Sequence, residues 1–122
     1  MSAKNFMDLI VWQKADALSQ VIHEMTKSFP KEEKFLLVYQ MRRASSSIPM
    51  NIAEGFGRWS PHDRARFYEI AKGSGDELKA QLKQVVDKKY CANVGKAASL
   101  ADEVCAMLYV LRRKILQEDS KR

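Results

Sequence analysis

"RRASSSIPMNIAEGFGR", Arg42–Arg58, decides the fold. Three consecutive serines, a proline and two glycines have the composition of a loop or an active-site segment. The apolar spacing reads otherwise. Leu37, Met41, Ala44, Ile48 and Ile52 recur at intervals of 4, 3, 4 and 4, which is one face of a helix carried straight through the stretch. Pro49 cannot donate to the carbonyl of Ser45, so a kink is expected there. The serine hydroxyls are placed to satisfy freed backbone groups. Their small size also lets another backbone come close.

A partner for that close approach lies downstream. "AKGSGDEL" (Ala71–Leu78) sets Gly73, Ser74 and Gly75 inside the next helical pattern, at a cost of about 1 kcal/mol per glycine relative to alanine. Ser46 and Ser74 are each fourteen residues from Ser60. An antiparallel pair of helices folded about Ser60 therefore brings the two small-residue patches together. Ser46 or Ser47 is expected to face Gly73 or Gly75.

A polar stripe runs along the same helix. Arg43, Ser47, Asn51, Glu54 and Arg58 follow at 4, 4, 3 and 4, so they share one face. A solvated face is the plain reading. Asn51 beside the apolar Ile52 predicts partial burial, and Gly55 and Gly57 loosen the helix end next to Arg58 and Trp59. Glu77 is expected to satisfy Arg43 or Asn51 across the helix pair. The set fits a protein interface or an anion site.

The flanks supply three more amphipathic patterns. Val11, Ala15, Leu18, Ile22, Met25 and Phe29 mark the first, with Asp8 as candidate cap and Pro30 as stop. "SPHD" (Ser60–Asp63) is a strong start signal, with Ser60 capping, Pro61 at the first helical position and Asp63 closing a capping box. Phe67, Ala71, Ser74, Leu78, Leu82 and Val85 follow it. Val94, Ala97, Ala101, Val104, Leu108, Leu111 and Ile115 form the last pattern, with Asn93 or Ser99 as cap and a polar tail that frays. Helices over about 8–29, 31–57, 61–90 and 94–117, joined by short links, predict one all-α domain over 1–122. The expected architecture is an up-down-up-down antiparallel four-helix bundle kinked at Pro49.

Composition agrees. The 122 residues are 46% hydrophobic and 30% charged, enough for one core. Cys91 and Cys105 are too few for a disulfide framework and lack metal spacing. Neither a leader segment nor a membrane span is evident, so a cytoplasmic location is expected. Net charge is +6, absent from residues 1–30 and spread evenly over the rest. Basic residues cluster at Arg42 with Arg43, Arg64 with Arg66, Lys88 with Lys89, and Arg112–Arg113–Lys114.

Catalysis is the class least supported. His23 and His62 are 39 residues apart, in neither metal nor nucleophile–base spacing. Glu54, Asp76 and Glu77 come near the crossing but lack the Glu-x-x-His pairs of a bundle metal site. No cofactor or metal is expected. Two readings remain. One is a nucleic-acid-binding module that uses Arg42, Arg64, Arg66, Lys88, Lys89, Arg112, Arg113 and Lys114 on the phosphate backbone, with little base readout. The other is a self-assembling scaffold for a protein partner, with Trp59 and Tyr109 as anchors and Trp12 in the core or as a staple.

"DLIVWQKA" (Asp8–Ala15), "FPKEEKFLL" (Phe29–Leu37), the opening stretch and "FYEIAKGSGDELKAQL" (Phe67–Leu82) resemble the bacterial four-helix-bundle family of 23S rRNA intervening-sequence proteins. The likeness covers about residues 6–85, and its motif positions are Arg42, Arg43, Ser47, Pro49, Asn51, Glu54, Gly55 and Arg58. The resemblance implies a small cytoplasmic protein without enzymatic activity, assembled as a ring-shaped homopentamer. It also implies a role with nucleic acid, by analogy with the basic pentameric accessory proteins of diversity-generating retroelements.

Overall fold

The computed structural model describes residues 3–121. These form four helices, α1 (Ile10–Thr26), α2 (Leu37–Phe56), α3 (Pro61–Asp87) and α4 (Gly95–Ser120), with short 3-10 turns at Phe6–Asp8 and Lys31–Glu33. No strand occurs among the described residues. Each helix packs on the two beside it around the ring. The result is the expected four-helix bundle. Leu18 and Ile22 of α1, Met41, Ile48 and Ile52 of α2, Leu78 and Val85 of α3, and Val104 and Leu108 of α4 are fully buried at its centre. α2 continues as one helix through Pro49, which is buried.

The helix ends depart from the sequence reading, each for a local reason. Asp8 does not cap α1. Its carboxylate accepts from the backbone N–H of Asn5 at 3.2 Å, while Asn5 caps the 3-10 turn, so Asp8 closes a box one turn early. α1 begins at Ile10 and stops at Thr26, three residues short of Phe29. Thr26 Oγ1 turns back to donate to the carbonyl of Ile22 at 2.9 Å.

α2 starts at Leu37, six residues later than expected. Glu33 is drawn inward, where Tyr90 Oη donates to its carboxylate at 2.6 Å and Lys88 Nζ lies 3.4 Å away. That tertiary contact ends the first turn, and the chain crosses an exposed Phe35 and Leu36 before α2 resumes.

Ser60 caps α3 as predicted, accepting from Asp63 N at 3.4 Å. α3 closes at Asp87 rather than at 90, in a Schellman turn: Tyr90 N donates to Val85 O and Lys89 N to Val86 O, both at 3.0 Å. Lys89 sits at φ 60, where glycine is usual. Asn93 accepts from Gly95 N at 3.0 Å, but Val94 occupies the cap position of α4 and Ser99 lies inside the helix. The polar tail is helical to Ser120, and Asp119 within it reaches His62 of α3 at 3.2 Å.

Candidate functional site

The crossing of α2 and α3 lies one residue from where equal offsets put it. Ser47 Oγ and Ser74 Oγ share a hydrogen bond of 2.9 Å. Ser46 is exposed, and a Cβ on Gly73 would meet nothing within 4 Å, so neither belongs to the contact. Gly75 is a close-approach position toward the other neighbour: a Cβ there would lie 2.5 Å from Cys105 Sγ of α4. Gly55 has the role expected of Gly73, since its Cβ would come within 2.9 Å of the Tyr68 ring. The small residues thus serve two helix pairs, and spacing alone assigned them to one.

The polar stripe is present on one face of α2. Asn51 is half-buried as predicted, and its Nδ2 donates to Ser47 O at 2.8 Å and to Ser47 Oγ at 2.9 Å. Arg43, Ser47, Asn51 and Glu54 line a shallow pocket of about 490 Å³ with Met50 and Phe67. Arg58 closes its end, paired with Glu54 at 3.1 Å and lying 4.8 Å over the Phe67 ring. Glu77 stays out of this network. It accepts from Gln81 on its own helix at 3.2 Å instead of meeting Arg43 or Asn51. Trp12 is half-buried and edge-on to Phe6 at 5.2 Å, while Tyr109 and Trp59 are exposed, Trp59 at 96%.

The eight basic candidates separate into two groups. Arg42 holds the end of α1, with Nε donating to Thr26 Oγ1 at 2.9 Å and its guanidinium to His23 O at 3.3 Å. Arg64 holds the α2–α3 turn through the carbonyls of Trp59 at 2.9 Å and Arg58 at 3.2 Å. Lys88 is paired with Glu33, and Arg112 Nε lies 3.4 Å from Glu69, an ion pair without hydrogen-bond alignment. These four are spent on the fold. Arg66, Lys89, Arg113 and Lys114 are exposed and make no ion pair among the described residues. Lys89 is at the opposite end of the bundle from the other three.

Two features escaped the sequence reading. The first is a ladder between α3 and α4: Lys79–Asp102 at 3.1 Å, Glu69–Arg112 at 3.4 Å and His62–Asp119 at 3.2 Å. The rungs are ten and seven residues apart on both helices, so one antiparallel register explains all three. Finding it requires that register, which neither helix alone contains. The second is an open groove of about 990 Å³ between the start of α1 and the second half of α4. Leu9, Ile10, Met107, Val110 and Leu111 line it, and Lys4 and Lys114 rim it.

The Tyr90 hydroxyl, and then Lys88, hold the Glu33 carboxyl below the usual range, and the same contact raises the Tyr90 phenol. Burial pushes the Cys105 thiol up, which makes it inert rather than nucleophilic. Both cysteines are free. Among the described residues no helix is long and apolar enough to cross a membrane.

Residues 7–110 match the family described as 23S rRNA-intervening sequence protein. No curated protein matches the chain.

Proposed function

The chain belongs to the 23S rRNA-intervening sequence protein family, and from that premise we propose a non-enzymatic cytoplasmic bundle that assembles with copies of itself and holds nucleic acid by the phosphate backbone. The observation that carries the second half is the sorting of cations. Arg66, Arg113 and Lys114 are exposed without an acidic partner among the described residues. The Glu69–Arg112 rung puts all three at one level of the bundle, within about a turn of one another. At the same end Glu54 and Glu69 are paired with Arg58 and Arg112 and Asp119 contacts His62, which leaves Asp63 and Glu118 exposed without an ion pair among the described residues. The family's name ties it to 23S rRNA, which favours RNA.

Self-assembly supplies the strength that one copy lacks. A net charge of +6 gives weak phosphate contact, and a homopentamer multiplies it fivefold on one small particle. The apolar groove between α1 and α4 favours such assembly, because Ile10 and Val110 stand exposed on it and a second copy would cover them. A heterologous contact that closes into a ring is the expected geometry. The same groove supports the second reading, a scaffold for a protein partner without nucleic acid.

Gel shifts across a salt series, after an absorbance check for co-purified nucleic acid, test the proposal. Log affinity falls with log salt by about 0.9 per neutralised phosphate on duplex DNA and about 0.7 on single strands. Changing Arg66, Arg113 and Lys114 to alanine weakens binding on all sequences alike and flattens the slope. No binding at ~50 mM salt, or tight binding to one sequence with a shallow slope, overturns the backbone mechanism and leaves the scaffold.

A further inference from the structure

We infer that the α2–α3 turn is a stacking platform for an unpaired base, so the nucleic acid bound by this protein is single-stranded where it meets Trp59. This rests on the nucleic-acid reading above and narrows it. Trp59 is 96% exposed, while Phe56 and Phe67 on either side of the turn are half-buried. The fold makes no use of the indole. At that exposure the ring is open to a ligand.

The turn presents the indole on a fixed backbone. Arg64 clamps the carbonyls of Arg58 and Trp59. Ser60 caps α3, and Pro61 fixes the next dihedral. Little backbone freedom is then left to lose on binding. Arg58 stays partly exposed beside it, and its guanidinium is oriented by Glu54 and the Phe67 ring. Arg66 follows about 7–8 Å along the α3 axis from Pro61, exposed and unpaired among the described residues. Asp63 is the exposed acid in that first turn, so a strand has to pass on the Arg66 side of it.

An exposed aromatic flanked by arginines matches the way single strands are held. A base stacks on the ring whatever its identity, and the cations follow the backbone. In a duplex the bases are already paired and stacked, and a deep narrow RNA major groove keeps side chains out. A protein anchor fits less well, because hot-spot aromatics lie in well-packed, desolvated pockets, whereas this indole stands exposed on a turn with Arg58 and Arg66 beside it.

The test uses the full chain, an oligouridine single strand and an RNA duplex of equal length at ~50 mM salt. In the Trp12→Phe variant, whose emission comes from Trp59 alone, the single strand quenches fluorescence and the duplex does not. Trp59→Ala leaves the melting curve unchanged and weakens single-strand binding by roughly five- to one-hundred-fold. Trp59→Phe keeps most of it, and duplex affinity does not move. Equal binding of both RNAs by Trp59→Ala and the parent overturns the platform while the backbone reading stands. No binding of either RNA by the parent overturns both. If Trp59→Ala changes the light-scattering mass instead, the indole is a subunit anchor and the platform is wrong.

Discussion

α4 makes two seams, and they are built differently. Against α3 it is closed along nearly its whole length. Two ion pairs and the His62–Asp119 contact share one register there, and Gly75 lets the backbones approach over Cys105. Against α1 it has the Lys14–Glu103 pair at 2.6 Å and then the open groove. Length is the cause. α3 and α4 have 27 and 26 residues and α1 has 17, a difference of about 13–15 Å at 1.5 Å per residue. Where α1 runs out, the chain turns away through the 3-10 turn and apolar side chains of α4 are left uncovered. Stability is concentrated in the matched seam, and the mismatched one is available for association.

The sharpest way to break this comparison is at two glycines two residues apart. Gly75→Ala puts a methyl against the Cys105 sulfur, which is buried and has only a χ1 rotation to escape through. The expected cost is about 1–3 kcal/mol, seen as a lower denaturation midpoint. Gly73→Ala faces open space and stabilises the helix by up to about 1 kcal/mol. Adding Cys105→Ala to Gly75→Ala recovers part of the loss, and a double-mutant cycle measures the coupling. Two glycine variants with equal midpoints would mean that the closed seam is not tight at Gly75.

How much of this was legible follows from which interactions are local. The four apolar stripes were readable because a helix face repeats within one segment, and Met41, Ala44, Ile48 and Ile52 are all buried as the spacing required. Ser60 and Pro61 were readable for the same reason. The start of α2 was not, because Glu33 is held by Tyr90 from the far end of α3, 57 residues away. Gly75 and Gly55 were legible as small residues, but which neighbour they accommodate depends on inter-helix register. The basic clusters were legible as clusters only. Arg42 and Arg64 have the composition of phosphate ligands and the geometry of carbonyl clamps.

A second, smaller effect comes from the contact that ties the α1–α2 connection to the end of α3. The Tyr90 hydroxyl lowers the Glu33 pKa, so the contribution of that carboxylate is present above its ordinary value near 4.5 and is lost as pH falls through the lowered one. The Tyr90 phenol is raised, so its contribution is complete below its ordinary value near 10 and is lost as pH rises through the raised one. Tyr90→Phe removes the contact. The melting difference between the parent and Tyr90→Phe is therefore a plateau at neutral pH that shrinks toward both extremes. A difference that stays constant from pH 3 to pH 7 would show that the two groups do not interact in solution.

The open seam predicts the smallest effect on stability and a large one on assembly. Val110 and Ile10 are 51% and 60% exposed on the groove. Val110→Lys adds a charge at an exposed helical position where lysine has the better propensity, so the monomer should change by no more than about 0.5 kcal/mol. In an assembled particle the same side chain is pressed into an apolar interface. An unpaired charge buried there is strongly unfavourable, and the association midpoint should rise by at least tenfold. Sedimentation or light scattering over a dilution series, run beside the melt, separates the two. A variant that melts and associates like the parent would mean the groove is not where copies meet. One that loses both stability and assembly would mean Val110 belongs to the core, and that the second seam is closed like the first.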